Sequence, residues 1–499
     1  MRKILYFVMI LLTGVFSACK KHKVDPDSPD APGSTLDLIK DSIYLYTKEA
    51  YYWSDGIPDY ATIKPRTING SNDLAAVTAE VNLLSQFKIN PATGQPYEYV
   101  STAPGQAKYS FIDNGQTSAV LGGTKVDFGF AITAISSTDF RVRYVYAGSA
   151  AGNNGMHRGE MITAINGRTG LDLNVNADYS FVLNALGVSP INMTLKRGDN
   201  TTYSVTLTSA SYTVNPVLLY KVFDQGGGKK VGYMVFNSFT APANAQPKLD
   251  EAFASFTSAG ITDLVVDLRY NGGGYVSTAE SLSNMIVPTA KNGTLMYNTY
   301  FNSTLQSGQE QMLKHQFTRD ATNGLYNLAQ VDYSVTNNAV KFSKKGTLNI
   351  SRVFFIVTGS TASASELAIN NLRPQMDVRL IGPGTYGKPV GFFALNINQY
   401  QLYVPEFETK NAANQGGYYT GMTPGSADYP GYNDKDDITK DFGDATEGLL
   451  AHALNYVKTG TYGTSLKIQS ADGQPVVNRN VGSDGFNGMI MDKGLKIKK

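Results

Sequence analysis

The stretch ITDLVVDLRYNGGG, residues 261–274, decides the fold of this chain. Its first part is an apolar run from Ile261 to Leu268, which is typical of a strand buried in a parallel sheet. Its last part is a turn of three glycines. Helical patterns flank the stretch, Gln246–Ala259 before it and Tyr275–Ile286 after it. We therefore predict a buried strand that ends in a sharp turn, inside an α/β sheet.

The same alternation continues along the chain. Further strands are predicted at Val231–Phe236, Val353–Val357 and Val378–Ile381, and a closing helix at Thr446–Tyr456. This order predicts a parallel-rich sheet with helices on its faces, which we assign to residues 213–460. A segment rich in Asn, Tyr, Thr and Gln, residues 291–348, interrupts it. A loop of that length is usually functional or separately folded.

Composition limits the classes of protein that need to be considered. The 499 residues suggest two to four domains, and 42% apolar against 17% charged residues indicate a folded chain. The net charge of +2 gives no reason to expect nucleic acid as a partner. Four histidines and one cysteine exclude thiolate zinc sites, iron–sulfur clusters and intrachain disulfides. We expect neither a metal nor a cofactor.

The first residues have the pattern of an export signal. Basic residues precede an apolar run, Ile4–Phe16, which is shorter than the ~20 residues of a membrane span. Cys19, the single cysteine, follows two small residues and resembles the lipidated cysteine of a bacterial lipobox. We predict a signal peptide at 1–18, a lipidated Cys19 with a polar tether over 19–35, and a cell-envelope location, with the outer membrane favoured. The alternative is an ordinary signal peptide with a chance cysteine.

Two smaller regions precede the α/β domain. Apolar residues at helical spacing from Leu36 onward predict a small, partly helical N-terminal domain over 36–116. Short strands separated by glycine turns predict a β domain over 117–212. The tail, residues 461–499, is glycine-rich and polar and is left unassigned. The expected fold class is thus multidomain α/β.

The β domain resembles a PDZ domain. The resemblance rests on the loop DFGF at 127–130, the pattern V-x-x-G-S-x-A at 145–151, R-G-E-x-I at 158–162 and I-N-G at 165–167. It implies that an extended peptide adds as a strand at a sheet edge. Backbone amides of Phe128, Gly129 and Phe130 would then hold the peptide's terminal carboxylate.

Three segments of the α/β domain suggest acyl transfer. They are DLRYNGGG at 267–274, GSTASASE at 359–366 and TYGK at 385–388, each just after a predicted strand. A desolvated lysine can activate a serine, and a helix N-terminus stabilises the oxyanion that forms. Taken singly, Ser363 is equally well a helix cap, as are Ser360 and Ser365, and Lys388 a solvated loop lysine.

In combination, D-L-R-x-N-x-G-G, T-A-S-A-S-E and T-x-G-K resemble the S41 family of serine peptidases, of the carboxyl-terminal processing type, from about residue 36 to 456. The resemblance implies that Ser363 is the nucleophile and Lys388 the general base. It implies an oxyanion hole made by the amides of Gly273 and Ala364, and a catalytic domain of the ClpP/crotonase-like fold. It also implies substrates that are proteins or peptides with accessible C-termini.

Two positions depart from the family pattern. Phe392 stands where many members have a glutamine that orients the lysine, and Gly272 where proline is common. Some other group must then position Lys388, while Tyr386, Val390 and Phe392 can form an apolar wall that lowers its pKa. Phe392 also keeps an alternative open, a non-catalytic PDZ-type scaffold lipoprotein on the same fold. A phosphate-binding loop at 382–388 is excluded because Pro389 follows it.

Overall fold

The computed structural model describes residues 32–319, 323–464, 479–481, 488–491 and 496–498. The predicted signal peptide, Cys19, most of the tether and most of the tail at 461–499 lie outside the described residues. Within the described ranges, no helix combines the length and apolarity that a membrane crossing requires.

Helices occur throughout the described part of the chain. They are α1 (Thr35–Ala50), α2 (Tyr60–Ile63), α3 (Asp73–Leu84), α4 (Gln116–Leu121), α5 (Ala150–Asn153), α6 (Asn176–Gly187), α7 (Pro242–Ala259), α8 (Val276–Ile286), α9 (Ser303–Gln306), α10 (Ala364–Leu372) and α11 (Gly448–Thr459). Short 3-10 turns lie at Ser54–Gly56, Pro65–Thr67, Thr289–Lys291, Met312–His315 and Leu328–Gln330.

Strands are short and numerous. The first half of the chain holds β1 (Ile89–Asn90), β2 (Gln95–Pro96), β3 (Phe111–Asp113), β4 (Thr124–Asp127), β5 (Phe130–Ala134), β6 (Phe140–Val145), β7 (Met161–Ile165), β8 (Arg168–Thr169), β9 (Ile191–Lys196), β10 (Thr202–Leu207), β11 (Ala210–Thr213), β12 (Val217–Asp224) and β13 (Lys230–Phe236). The second half holds β14 (Asp263–Asp267), β15 (Gly273–Tyr275), β16 (Leu295–Phe301), β17 (Phe317–Arg319), β18 (Leu325–Asn327), β19 (Ala339–Lys341), β20 (Arg352–Ile356), β21 (Asp377–Ile381), β22 (Val390–Gly391), β23 (Leu395–Ile397), β24 (Tyr400–Tyr403), β25 (Phe407–Asn411), β26 (Gly431–Tyr432), β27 (Arg479–Val481) and β28 (Gly488–Ile490).

The α/β sheet has the strand order β12-β13-β14-β20-β21-β26. All neighbours from β13 to β26 pair in parallel, and only β12 is antiparallel, so the prediction of a parallel-rich sheet is confirmed. Successive side chains of a strand point to opposite faces. Val266 accordingly shares a core with α7, α8 and α10, whereas Val265 packs with α11. The sheet is thus buried on both faces.

The interrupting segment 291–348 contains strands. β16 pairs with β19 and, on its other side, with β25, in a four-stranded sheet of order β19-β16-β25-β22. The segment is therefore part of a second sheet and not a long loop. Its polar composition does not reveal this pairing, because the partner strand β25 lies more than a hundred residues further along the chain.

The N-terminal region shares its core with the α/β domain. Apolar side chains of α1 and α3 belong to one cluster with those of α7, α8 and α10. β3 also pairs antiparallel with β24. Residues 36–116 therefore pack directly against the α/β domain in this structure.

The region that resembles a PDZ domain has a core of its own, in which a sheet packs on α6. The strand order is β10-β9-β7-β6-β5-β27, with β8 paired to β7. β5 pairs with β6 on one side and with β27, from the predicted tail, on the other. The assignment to PDZ domains itself stays a prediction.

A buried cluster of charges fixes the carboxyl end of β14. The guanidinium of Arg269 lies 2.8 Å from Asp267, 2.6 Å from Asp436 and 2.8 Å from Glu447, and all these side chains are buried. Arg158 of the β domain contributes a further pair to Asp436 at 2.9 Å. A buried ion-pair cluster therefore lies just before the glycine turn, and it also joins the β domain to the α/β domain.

We expect Arg269→Met to lower the free energy of unfolding by about 3–5 kcal/mol, because it leaves carboxylates buried without a counter-charge. Urea unfolding measures the change. Lys248→Met is the control, since Lys248 pairs with Glu251 on the surface and should contribute less than about 1 kcal/mol. Equal shifts for the two variants would contradict a structural role of the buried cluster.

Candidate active site

Ser363 lies between β20 and α10, at the position that caps the helix. Its backbone has φ +59° and ψ −106°, a conformation that non-glycine residues rarely adopt. The side chain is fully buried, and its Oγ has no hydrogen-bond partner among the described residues. Strained backbone of this kind concentrates at functional sites.

Lys388 is also fully buried. Burial lowers its pKa well below the usual value, and Lys108 adds to the effect, while Glu98, Glu366 and Glu406 oppose it. The Nζ atom lies 3.8 Å from the centre of the Phe392 ring and 5.4 Å from that of Tyr109. The phenyl ring thus forms part of the wall that the sequence predicts around this lysine.

The carboxylate of Glu366 connects the two residues. Its Oε2 accepts the backbone N–H of Ser363 at 2.8 Å and that of Lys388 at 2.8 Å. Its Oε1 accepts the N–H of Gly387 at 2.8 Å and the hydroxyl of Thr385. Burial raises the pKa of Glu366, and these four hydrogen bonds act in the opposite direction. One carboxylate therefore fixes the main chain of both proposed catalytic residues, a role that sequence reasoning did not assign to it.

The N-terminal region clamps the loop that carries Lys388. The hydroxyl of Tyr109 donates to the carbonyl of Gly387 at 2.6 Å, and Lys108 Nζ donates to the same carbonyl at 3.2 Å. Glu98 holds this clamp by accepting the N–H of Tyr109 at 2.8 Å. Lys108 and Tyr109 were not candidates from sequence, because Gly387 lies 279 and 278 positions away from them.

Gly273 and Ala364, the predicted oxyanion donors, lie side by side. A Cβ on Gly273, whose φ is +107°, would lie 3.0 Å from the Ala364 nitrogen. The Ala364 N–H is the first of α10 and has no acceptor within the helix. The Gly273 N–H donates to Asn271 Oδ1 at 2.9 Å. In this structure one of the two predicted donors is therefore already engaged.

Phe128, Gly129 and Phe130 form the turn that leads into β5. The Gly129 N–H, predicted to bind a carboxylate, donates to Asp127 at 2.7 Å. Its carbonyl accepts the N–H of Tyr146 at 2.8 Å. Both backbone groups of Gly129 thus have partners within the β domain. The adjacent edge of β5 is paired with β27.

Two histidines, His452 and His157, contact residues outside the three segments that suggest acyl transfer. His452 lies on α11, whose apolar residues pack on the sheet face opposite to α10. Its ring contacts Asp434 and the carbonyl of Tyr462, at 2.8 and 2.7 Å. His157 is largely exposed and lies 3.8 Å from Asp441. The contacts of these two rings thus give neither histidine a role beside Ser363.

Part of the chain matches a known protein family. Residues 230–422 match the family model described as Peptidase family S41. That stretch contains the glycine turn, Ser363, Glu366 and Lys388. The region that builds the candidate site is thus related to a family of peptidases.

Two individual relatives are named as carboxy-terminal processing proteases. The chain is 23% identical over 252 residues to the carboxy-terminal processing protease CtpA of Bacillus subtilis, covering 48% of this chain and 42% of the relative. It is 24% identical over 242 residues to a carboxyl-terminal-processing protease of Picosynechococcus, covering 48% and 49%. The chain thus matches less than half the length of each of these relatives.

One solved structure shows a similar fold. It is a Bacteroides fragilis protein assigned to the S41 proteases, with a TM-score of 0.55 and 22% identity over 87% of this chain and 100% of that one. The mixed α/β fold of this chain is therefore that of an S41 protease structure. The ClpP/crotonase-like resemblance stays a prediction.

We expect Glu366→Gln to lower kcat by about 100-fold, because an amide NH₂ would face N–H donors and shift both backbones. Hydrolysis of an unfolded protein measures this loss, and labelling of Ser363 by a fluorophosphonate reports on its reactivity. Glu80→Gln is the matched control, since Glu80 is equally buried but lies in the N-terminal core. A Glu366→Gln enzyme with normal labelling and turnover would show that the carboxylate is dispensable.

Proposed function

We propose that this chain is a serine endopeptidase that cleaves exported proteins near their C-terminus. The observation that carries the proposal is the shared carboxylate of Glu366, which holds a strained serine and a desolvated lysine. Serine alone is a weak nucleophile and lysine an ineffective base while it is protonated. The burial of both side chains, with the lowered pKa of Lys388, supports acyl transfer without histidine.

The proposed reaction proceeds in two halves. Neutral Lys388 takes the hydroxyl proton of Ser363 while Oγ attacks the scissile carbonyl carbon, and the resulting oxyanion accepts the N–H of Ala364 at the start of α10. The carbon–nitrogen bond then breaks, and the lysine ammonium passes its proton to the leaving amine. In the second half, Lys388 takes a proton from the water that attacks the acyl carbonyl, and it returns this proton to Ser363 Oγ as the ester bond breaks. Gly273 supplies a second donor once its N–H turns away from Asn271.

Substrate selection is proposed to use the edge of β5. Extended peptides bind exposed sheet edges through main-chain hydrogen bonds, which select conformation more than sequence. The names of the relatives refer to carboxy-terminal processing, and we propose the same substrate class here, proteins or peptides with accessible C-termini. The Gly129 amide already donates to Asp127 and is not available for a carboxylate in this structure. The geometry therefore supports strand addition at the β5 edge, and not capture of the carboxylate by this amide.

We expect Ser363→Ala and Lys388→Ala each to abolish hydrolysis of an unfolded protein. In the wild type, activity should rise with pH, since only neutral lysine is a base, and the rising limb should lie below the usual lysine pKa of ~10.4 because burial lowers the pKa of Lys388. Lys388→Arg should also be inactive, as guanidinium stays protonated. A folded Lys388→Ala enzyme with normal turnover would disprove the dyad and favour the scaffold alternative.

A stability measurement serves as the control for folding. A lysine with a lowered pKa in the folded state binds fewer protons than in the unfolded state, so its site gains stability as pH rises toward the usual lysine pKa. Lys388→Met should therefore be more stable than wild type near pH 7, and the difference should shrink at higher pH. Urea midpoints at several pH values measure both quantities.

We also propose that the chain is anchored in the cell envelope through Cys19, with the outer membrane favoured. The support is the sequence pattern alone, a short apolar run followed by small residues and the single cysteine. Cys19→Ala should lose incorporation of radiolabelled palmitate and leave the membrane fraction. Labelled Cys19→Ala protein in membranes would contradict the proposal.

A further inference from the structure

The C-terminal part of this chain lies on the edge at which a peptide is expected to bind. β27 pairs antiparallel with β5, with Arg479, Asn480 and Val481 opposite Ala134, Thr133 and Ile132. From Arg479 to Val481 the paired residues of β5 run from Ala134 to Ile132, that is, toward Phe130. A peptide that added to β5 in this direction would have its C-terminal end at the turn before β5.

A second piece of the same tail lies beside the candidate active site. β28 pairs in parallel with β15, with Gly488 opposite Gly273 and the N–H of Gly488 donating to the carbonyl of Gly272 at 2.9 Å. On its other side, Phe392 donates its N–H to the carbonyl of Met489 at 2.8 Å. The tail therefore runs between the proposed oxyanion turn and the wall of Lys388.

Glycines on both sides of this cleft allow a peptide backbone to approach closely. A Cβ on Gly273 would lie 2.2 Å from the carbonyl oxygen of Gly488, and one on Gly391 would lie 2.2 Å from the Phe407 ring and 2.8 Å from the carbonyl oxygen of Met489. Glycine at both positions lets an extended strand approach closely. Main-chain hydrogen bonds admit another extended peptide, and the burial of Met489 and Ile490 in the main core means that such a peptide needs apolar side chains at these two places.

A third contact fastens the tail beyond the cleft. Lys498 lies 2.6 Å from Glu310, whose carboxylate is almost fully buried, and its N–H donates to the carbonyl of Gln330 at 2.7 Å. The carbonyl of Lys496 accepts the N–H of Asp332 at 2.6 Å. The tail is held at three separate places.

With the tail in place, the proposed site is closed. Ser363 and Lys388 have no exposed surface, and the Gly273 N–H is engaged by Asn271. A protein substrate cannot reach a nucleophile without exposed surface, so some covering element has to move. β28 covers the oxyanion turn and, by its pairing, is the kind of element that a substrate strand can replace.

We propose that the tail is an intramolecular ligand of this chain, in which residues 479–481 occupy the β5 edge and residues 488–491 the active-site cleft as a substrate mimic. Displacement of the tail by an incoming polypeptide opens the site. The covalent connection raises the local concentration of the tail, so weak pairing suffices to keep the site closed. This proposal rests on the proposed function for the meaning of the cleft, but the binding itself does not depend on catalysis.

The test uses the full-length chain with a recognition sequence for a site-specific protease inserted between Gly463 and Thr464. The chain folds intact and is then cut, so that the tail becomes a separate peptide. Cutting and dilution should raise hydrolysis of a short fluorogenic peptide at least ten-fold. Added synthetic peptide 479–498 should reverse the increase. A cut chain that stays folded and loses its tail, yet shows unchanged hydrolysis, would overturn the proposal.

A substitution in the intact chain covers the case in which the cut tail does not dissociate. Val481→Lys puts a charge into the β-domain core, where Val481 is 7% exposed, and should raise hydrolysis several-fold by loosening β27. Val126→Lys is the matched control on an exposed valine of β4, 71% exposed, and should change nothing. A tail that neither dissociates nor responds to Val481→Lys is a permanent structural strand, and the proposal is then wrong.

Binding is also measured without turnover. Fluorescently labelled peptide 479–498 is added to the cut, diluted chain that carries Ser363→Ala, and anisotropy follows its binding. Saturable binding that unlabelled peptide competes away is the expected result. If binding occurs while no variant hydrolyses any substrate, the ligand proposal stands and the peptidase proposal fails. Absence of binding overturns the ligand proposal whatever the activity.

Discussion

The carboxylate of Glu366 is the interaction on which the candidate site depends. A buried carboxylate is costly unless its oxygens accept hydrogen bonds, and here three backbone amides and one hydroxyl supply them. Two of these amides belong to Ser363 and Lys388. The need to satisfy one buried charge therefore sets the distance between the turn before α10 and the loop after β21. A positional constraint on the main chain of the serine and of the lysine therefore follows from ordinary hydrogen-bond requirements.

Desolvation of the lysine depends on more than the α/β domain. Tyr109 and Lys108 come from the N-terminal region and close the loop around Lys388 from one side, while Phe392 closes it from another. Glu98, which holds this clamp, also opposes the lowering of the lysine pKa. The net direction is downward because burial is the largest effect. The N-terminal region, which shares one core with the sheet, is thus part of the environment that sets the protonation of Lys388.

Local sequence predicted the parts of the fold that local forces determine. The strands at β13, β14, β20 and β21 are continuous apolar runs, and the helices between them have clear periodicity, so their positions are within a few residues of the predictions. Phe392 as a wall of the lysine pocket was also predictable, because it lies only four residues from Lys388. Glu366 belongs to the motif T-A-S-A-S-E, but its spacing alone could not show its role. Its carboxylate accepts hydrogen bonds from two separate segments, at Ser363 and at Lys388. Tyr109, β16 with β25, and the two tail strands depend on contacts far apart in sequence, which no periodicity records.

The two tail strands raise the question of how a site can be both complete and closed. β27 and β28 contribute main-chain hydrogen bonds, and Val481, Met489 and Ile490 also bury their side chains in the two cores. The two places therefore accept an extended backbone with apolar side chains, which an unfolded segment or a segment of the same chain can supply. On the proposed function, a tethered occupant would limit cleavage to polypeptides that can compete at the β5 edge and in the cleft together. Selectivity would then come from the requirement to displace two strands at once rather than from the shape of either site alone.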